Sequence, residues 1–458
     1  MIDELLRKDD FARRRRKLLN DMRPGSIAIV PGALEQRRNS DIYFPFRQDS
    51  DFWYLTGFCE PEALLVLVPD REQGECILFC RERDVVREQH DGPILGPEAC
   101  RNTLGVDDAF PLADVDDILP GLLEARSQVY MNIGEQLTWD QRINAYLQEL
   151  TVQHAGQPAQ LVGITALGQL LHEHRLIKDT KERQLMAQAA QISVGAQYAA
   201  LTEVAPGVTE AELEARLAYS FRTQGAQCEA YPSIVAAGEN ACVLHYSQSE
   251  SVLLEDELVL IDAGCELHYY AADVTRTYPV SGRFSRAQRD LYDVVLRANV
   301  AAIDACIPSN HFNRPHEVAT LLLVEGLVEL GLLVGDPKDL MEQGVHTRFC
   351  PHKTSHWLGL DVHDVGDYRL GDTWRDLLPG MVLTVEPGIY IPRSNLTLDV
   401  PEEYRGIGIR IEDSVLIEES GPRVLTQGLI KHPDEIEIWM SRAEADIAEP
   451  AKVKTAGV

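Results

Sequence analysis

The sequence lacks several features that mark particular classes of protein. No apolar run reaches the roughly 20 residues that a membrane-spanning helix needs, and no secretory apolar region follows the first residues. None of its nine cysteines forms the CxxC pair that is typical of zinc sites. An odd number of unpaired cysteines in a long chain predicts reduced thiols and a cytoplasmic protein.

Positive charge is also scarce. The chain has 43 Lys and Arg residues against 72 Asp and Glu residues, which gives a net charge of −29. Such a surface repels phosphate backbones and anionic lipids, so we expect neither a nucleic-acid nor a membrane partner. An acidic cleft would instead attract cations, including metal ions and the free amine of a peptide.

The 458 residues predict two domains, and the two parts of the chain have different patterns. Residues 1–175 alternate short apolar strands, one of them at 52–55, with helical segments, which predicts an α/β domain. Residues 176–440 begin with long helical patterns and continue with strands as far as Ile438. The composition of residues 441–458 predicts a disordered tail.

Two smaller patterns in the first domain are assigned structural roles. The basic run at residues 13–17 has acidic residues around it and predicts the solvated face of a helix. His172 and His174 have no carboxylate motif beside them, so we expect them to be structural histidines.

Several strand-like segments of the second domain carry a carboxylate among apolar residues. Side chains two positions apart point to the same face of a strand. These carboxylates, each with the polar residue that shares its face, are Asp273 with Thr275, Glu386 with Thr384, and Glu412 with Arg410. Asp262 ends a further apolar run. A buried carboxylate without a partner is costly, and coordination of a metal offsets that cost.

Three histidines, His352, His356 and His363, lie close together in the chain. With His356, the set is four carboxylates and one imidazole; the four anions would repel one another strongly around one ion, whereas two divalent cations with bridging carboxylates would balance them. An oxygen-rich set with one imidazole suits Mn²⁺ or Co²⁺, with Zn²⁺ as an alternative. Each residue taken alone also fits a cap, a turn or a salt bridge. A zincin-type HExxH helix is the weaker alternative, because Lys353 replaces its glutamate and Gly359 interrupts the segment.

The segments Ile261-Asp262-Ala263-Gly264, 272–277, 355–364 and 404–410 resemble the metallopeptidase family of aminopeptidase P, prolidase, methionine aminopeptidase and creatinase. The resemblance extends to residues 47–58, and so covers nearly the whole chain. It implies an α/β N-terminal creatinase-like domain (1–175) and an α+β C-terminal pita-bread, methionine aminopeptidase-like catalytic domain (176–440). Lys353 departs from the glycine common in relatives; it would lie beside the site and removes no ligand.

The resemblance also implies a role for each candidate residue. The implied metal ligands are Asp262, Asp273, His356, Glu386 and Glu412, with Asp273 and Glu412 bridging two ions. The implied catalytic residues are Glu386 as proton shuttle, His363 at the scissile carbonyl, His352 and His245 beside the bond, and Arg410 as a positioning group. Thr275 is expected to hydrogen-bond Asp273.

The activity implied is that of a metal-dependent aminopeptidase acting on peptides with proline at the second position, through a hydroxide between two metal ions, most readily Mn²⁺. The alternatives are a prolidase restricted to Xaa-Pro dipeptides and a non-catalytic pita-bread binding protein. The expected partners are peptide substrates and further copies of the chain, in a dimer or a tetramer.

Overall fold

The computed structural model describes residues 6–153, 163–397 and 399–448. Contacts divide the chain into two compact units, Met1–Arg175 and Leu176–Val458. In the described part of the chain, no helix is both long enough and apolar enough to cross a membrane.

The first unit is built on one mixed six-stranded sheet, in the order β6-β5-β4-β1-β7-β8. Its strands, with a separate hairpin of β2 and β3, are β1 (Ser26–Pro31), β2 (Arg37–Asn39), β3 (Ile42–Tyr43), β4 (Leu64–Leu67), β5 (Cys76–Cys80), β6 (Asp108–Pro111), β7 (Gln128–Tyr130) and β8 (Gly163–Thr165). Alternate residues such as Ile27 and Ile29 enter one buried cluster with Leu119 and Ile143 of the covering helices. This strand–helix packing produces the expected α/β unit.

The helices of this unit are α1 (Lys8–Asp21), α2 (Ser50–Thr56), α3 (Val85–Asp91), α4 (Gly96–Leu104), α5 (Val115–Leu123), α6 (Leu137–Gln153) and α7 (Gly168–Leu176). The expected strand at 52–55 is wrong, because these residues lie in α2. The side chain of Asp49 caps this helix by accepting the amide hydrogen of Phe52 at 2.8 Å, and Gly57 ends it in the left-handed conformation. A buried aromatic run has no clear period, so these two caps were the better signal.

The basic run is only partly solvated, which corrects the expectation for residues 13–17. Arg14 and Arg15 are buried. The guanidinium of Arg15 donates to the carbonyls of Leu55, Leu104 and Gly105, so it joins α1 to α2 and α4. Charge counting along the chain cannot detect carbonyl groups that a distant segment supplies.

His172 and His174 are structural, but each has a carboxylate partner. His172 Nε2 lies 3.2 Å from Asp51, which also pairs with the buried Arg175, and His174 Nε2 lies 2.6 Å from Asp21. Burial and these two bases act in opposite directions on Asp51, and the bases keep its pKa below the ordinary value.

The second unit has six helices and thirteen strands among its described residues. Its helices are α8 (Thr180–Leu201), α9 (Glu210–Thr223), α10 (Arg286–Asp304), α11 (Arg314–Glu329), α12 (Pro337–Glu342) and α13 (Pro433–Ala448). Its strands are β9 (Cys228–Glu229), β10 (Ile234–Ala237), β11 (Leu258–Asp262), β12 (Cys265–Leu267), β13 (Tyr270–Ala271), β14 (Thr275–Pro279), β15 (Arg369–Leu370), β16 (Thr373–Trp374), β17 (Val382–Val385), β18 (Gly388–Ile391), β19 (Ile407–Arg410), β20 (Asp413–Glu418) and β21 (Gly421–Val424).

Two rounds of a helix pair followed by strands make up this unit. Helices α8 and α9 precede the sheets β10-β11-β14 and β13-β12-β9, and α10 and α11 precede β17-β20-β21 and β18-β19. Capping boxes at Asp179, Thr209 and Ser285 begin α8, α9 and α10. The strands that follow each pair carry the polar residues of the site described below.

The end of the chain differs from expectation. Strands were expected as far as Ile438 and disorder from residue 441, but α13 runs from Pro433 to Ala448. Proline at the first helical position and the acidic Asp434 and Glu435 in the first turn favour this helix. The rest of the expected tail, residues 449–458, lies outside the described residues.

The ion pair of Lys178 with Asp364, in the second unit, is buried on both sides. Lys178 Nζ lies 2.9 Å from Asp364 Oδ2, and both side chains are only 1% exposed. We expect Lys178→Met to reduce the free energy of unfolding in urea by about 3 kcal/mol, because the substitution leaves a buried carboxylate without its cation. Adding Asp364→Asn should recover part of that loss. The exposed Lys338→Met is the control, and equal effects of the two lysine substitutions would contradict the prediction.

Candidate metal centre

Two neighbouring strands bring together Asp262 and Asp273. Strand β11 ends at Asp262, which pairs with Thr275 in the antiparallel register of β11 and β14, and Asp273 lies two residues before that strand. The backbone beside Asp262 passes very close to the backbone beside Asp273, since a Cβ on Gly264 would lie 1.8 Å from the carbonyl oxygen of Ala272. Glycine at this position therefore allows the two carboxylates to approach each other.

His356 and Glu386 come from segments that run side by side. The amide of Thr384 donates to the carbonyl of His356 at 3.0 Å, and the amide of Glu386 donates to Thr354 at 2.8 Å. Glu386, the residue after β17, therefore lies beside the segment that carries His356.

Glu412 lies between β19 and β20. Its amide donates to the carbonyl of Thr275 at 3.1 Å, which places its side chain beside the end of β14.

The five side chains meet at one place. Ligand atoms of Asp273, His356 and Glu412 lie within 4.8 Å of one another. His356 Nε2 is 3.5 Å from both Asp273 Oδ2 and Glu386 Oε1. His356 Nδ1 lies 2.9 Å from the carbonyl oxygen of Trp357, which leaves Nε2 on the side of the carboxylates.

Burial and mutual repulsion make this cluster costly as a set of free anions. Burial raises the pKa of Asp262 although Arg410 opposes the rise, and Asp273 adds to it. Burial and then the charges of Asp273 and Asp262 raise the pKa of Glu412 well above its ordinary value. Burial also raises the pKa of Glu386 to about 7, against the charges of His356 and Arg410. Divalent cations would remove both costs, so the donor set fits metal ions.

These groups line a cavity of about 510 Å³. The sequence-predicted His245, His352, His363 and Arg410 line it too. The rings of His356 and His363 are 4.4 Å apart and nearly perpendicular. The structure thus brings together every residue that was predicted to act in the site.

His352 has a defined tautomer. Its Nδ1 lies 2.8 Å from the carbonyl oxygen of Lys353, and its Nε2 lies 2.7 Å from the hydroxyl of Tyr390. Burial and then the charge of Arg410 lower the pKa of His352 to about 4. A neutral ring with its proton on Nδ1 satisfies both contacts.

Two expected contacts are different in the structure. Thr275 Oγ1 donates to Glu412 Oε2 at 2.7 Å and not to Asp273. Arg410 donates to Asp262 at 2.7 Å and to Tyr390 at 2.9 Å; it was expected to position either Glu412, whose strand face it shares, or the substrate. Both expectations used faces within one strand, but the pairing of β11 with β14 and of β18 with β19 decides which carboxylate each group reaches.

Tyr231 is a site residue that the sequence analysis missed. Its hydroxyl lies 2.7 Å from Asp262 Oδ1 and also contacts Asp273 Oδ1. Burial and then the charges of Asp262 and Asp273 raise its pKa well above the ordinary value, so it remains a donor. A lone tyrosine far from the acidic segments carries no signal of this role in one sequence.

Buried side chains behind the cluster were missed as well. Asn299 on α10 donates to the carbonyls of Val385 and Ile411, at 3.0 and 3.1 Å, next to Glu386 and Glu412. Arg276 donates to the carbonyl of Glu412 at 2.5 Å and pairs with Asp413 at 2.8 Å. These bonds fix the backbone that carries the carboxylates.

Comparison with known proteins agrees with this geometry. Residues 184–419, which include every residue of the cluster, match the sequence model of metallopeptidase family M24, and residues 11–130 match the aminopeptidase P N-terminal domain. The chain belongs to metallopeptidase family M24. Membership in M24 implies divalent metal ions, which the cluster of Asp273, His356 and Glu412 could hold.

Among M24 relatives, the chain is 42% identical to the Xaa-Pro aminopeptidase of Escherichia coli, over 95% of this chain and 98% of that relative. It is 41% identical to the Xaa-Pro aminopeptidase of Haemophilus influenzae, over the same shares. The solved structure of aminopeptidase PepP from Pseudomonas aeruginosa superposes with a TM-score of 0.93 at 48% identity, and covers 96% of this chain and 99% of that one. These likenesses confirm the expected creatinase-like and pita-bread domains.

We expect Tyr231→Phe to weaken Mn²⁺ binding about tenfold to a hundredfold, because the hydroxyl that holds Asp262 and Asp273 is lost while the ring remains. Isothermal titration of the metal-free protein with Mn²⁺ measures this change. Tyr219→Phe, at an exposed position on α9, should leave the affinity unchanged. Equal affinities of wild type and Tyr231→Phe would show that the hydroxyl does not organise the ligands.

Proposed function

We propose that the protein is a metal-dependent aminopeptidase that releases the N-terminal residue from peptides whose second residue is proline. The observation that carries the proposal is the meeting of Asp262, Asp273, His356, Glu386 and Glu412 in one cavity. Relatives that align with 95% of the chain are named Xaa-Pro aminopeptidase, and a variant of E. coli aminopeptidase P has been solved with substrate bound.

The proposed metal ligands divide into two groups. Asp273 and Glu412 would be shared by the two ions, Asp262 would complete one site, and His356 with Glu386 would complete the other. Contacts within the cluster support this division, since His356 Nε2 lies 3.5 Å from Asp273 Oδ2 and from Glu386 Oε1, whereas the hydroxyl of Tyr231 contacts Asp273 through the other oxygen, Oδ1, and also contacts Asp262. We propose Mn²⁺, because carboxylates outnumber imidazole in the set. When bound, the cations supply the Lewis acidity that activates water.

The remaining cavity residues bind and orient the peptide. Glu386 takes a proton from the attacking water and passes it to the leaving nitrogen. His363, against the ring of His356, polarises the scissile carbonyl, and His352 with His245 contacts the residues that flank the bond. Arg410, bonded to Asp262, holds that ligand in position.

The cavity also has apolar walls that suit a pyrrolidine ring. Pro232, Ile234, Leu244 and Val362 line it together with the polar groups. A bond that precedes proline has no N–H to donate, so an apolar wall loses no hydrogen bond when it accepts this residue. A free N-terminal amine is attracted by the acidic end of the same cavity.

Peptide length separates this activity from that of a prolidase. We expect the Mn²⁺-loaded protein to release the first residue of Xaa-Pro-Yaa peptides, as measured by chromatography of the products. Hydrolysis of Xaa-Pro dipeptides alone would identify a prolidase. Absence of hydrolysis by the fully metal-loaded protein would leave the binding protein as the correct reading.

We expect Asp273→Asn to abolish turnover and to remove at least one equivalent of bound metal, since the neutral amide cannot bridge two cations. Metal content after dialysis and the rate of Xaa-Pro-Yaa hydrolysis measure the two effects. Asp372→Asn, an exposed substitution of the same type, serves as the control. Full activity of Asp273→Asn would refute the bridging role.

We further propose a cytoplasmic homo-oligomer, either a dimer or a tetramer. All nine cysteines are free thiols, and Cys80 and Cys100 lie with their sulfurs 3.7 Å apart in the core, which suits a reducing compartment.

The proposed assembly of two or four copies has a candidate contact surface. Exposed Ile42, Tyr43 and Phe44, on and beside the β2–β3 hairpin, are surface that a second copy could bury. Light scattering of the purified protein measures the assembly.

A further inference from the structure

Lys353 is an exposed cation that lines the metal-centre cavity. It follows His352 directly, and the Nδ1 atom of His352 lies 3.7 Å from Glu386 Oε2. In the proposed function, Glu386 passes a proton to the leaving nitrogen. This role would place the leaving nitrogen beside His352, the residue that precedes Lys353 in the chain.

The charge of Lys353 is not matched by a carboxylate. Two cations line the cavity, and the first, Arg410, is bonded to Asp262. Within the ranges 6–153, 163–397 and 399–448, no carboxylate lies within ion-pair distance of Lys353; its side-chain contact is His316, with 3.4 Å between Nζ and Nε2. In a cavity with four carboxylates, a cation kept apart from all of them is available to an anionic ligand.

His316 on α11 holds this ammonium as a neutral acceptor. Its Nδ1 lies 2.9 Å from Thr354 Oγ1, and a proton on that nitrogen leaves Nε2 free to accept from Lys353. Burial, and then the charge of Lys353, lowers the pKa of His316 to about 4, so it carries no charge of its own at neutral pH. The contact orients the ammonium without neutralising it.

The distances along the chain allow Lys353 to contact the end of a short peptide. Lys353 precedes His356 by three residues, so their Cα atoms are at most about 11 Å apart. An extended peptide advances about 3.3–3.6 Å per residue, which places its carboxylate about 7 Å beyond the scissile bond in Xaa-Pro-Yaa and about 10 Å beyond it in a tetrapeptide. A lysine side chain can cover the difference between the position of the Lys353 Cα atom and that of the peptide carboxylate.

We propose that Lys353 is a specificity-determining residue whose ammonium binds a carboxylate on the leaving peptide, so that the protein prefers short substrates with a free C terminus. The inference rests on the proposed function for the direction of the substrate. The carboxylate can be the C-terminal group or an acidic side chain at the third position, and the substrates below separate these two sources.

The test compares Ala-Pro-Ala, its C-terminal amide and Ala-Pro-Asp amide with the Mn²⁺-loaded protein. We expect the free acid to have a KM about threefold to tenfold lower than the amide, which corresponds to about 0.7–1.4 kcal/mol. Lys353→Met should remove this difference with little change in kcat, and Lys353→Arg should retain it. A low KM for Ala-Pro-Asp amide would extend the site to acidic side chains, and a high one would restrict it to the C terminus.

Two controls make the result specific. Arg348→Met removes an exposed cation from the same segment, outside the cavity lining, and should leave the acid-to-amide ratio unchanged. His316→Leu should reduce the ratio without abolishing it, because the ammonium keeps its charge but loses its acceptor. Equal KM values for acid and amide in the wild type, or an unchanged ratio in Lys353→Met, would overturn the proposal.

Binding of the leaving product tests, independently of turnover, whether Lys353 binds a C-terminal carboxylate. Calorimetric titration with Pro-Ala and with Pro-Ala amide should show the same threefold to tenfold preference, lost in Lys353→Met. If no peptide is hydrolysed but this preference is found, the aminopeptidase proposal fails and only the binding of a peptide carboxylate by Lys353 stands. If peptides are hydrolysed but acid and amide bind equally, the role of Lys353 fails alone.

Discussion

The second unit depends on keeping four carboxylates and one imidazole together in a buried place. Each anion there costs free energy through loss of water and through repulsion by its neighbours, as the raised pKa values of Glu386 and Glu412 show. Divalent cations offset that cost, but only while the oxygens remain within a few ångströms of one another. The surrounding structure therefore has to hold the backbone at several separate points.

That support comes from buried polar side chains as much as from the sheets. Asn299 holds the backbone beside Glu386 and Glu412, and Gln197 on α8 donates to the carbonyls of Ile261 and Val274, next to the two aspartates. Helices of both rounds thus serve the same site. Such residues are fully buried and fully hydrogen-bonded, which fixes the ligand geometry before a metal binds.

The proposed treatment of the peptide follows from the charge distribution of one cavity. Carboxylates gather where the metal ions and the free amine would bind, while Lys353 stands apart from them with His316 as its acceptor. A substrate with an ammonium at one end and a carboxylate at the other is oriented by this polarity. Apolar walls between the two ends suit the proline.

The sequence by itself determined the family, the two-domain architecture and the five clustered carboxylate and imidazole residues. Those residues lie in local motifs and on strand faces, where neighbours along the chain carry the signal. The sequence pattern wrongly predicted a strand in place of α2, and strands followed by disorder in place of α13. The cap residues of α2 and the first turn of α13 are the features that favour these helices. Only the tertiary structure decided that Tyr231 joins Asp262 to Asp273, that Arg410 reaches Asp262, and that His316 holds Lys353. These contacts join segments far apart in the chain, and a hydrogen bond between distant segments depends on strand register and helix packing, which one sequence does not encode in any local pattern.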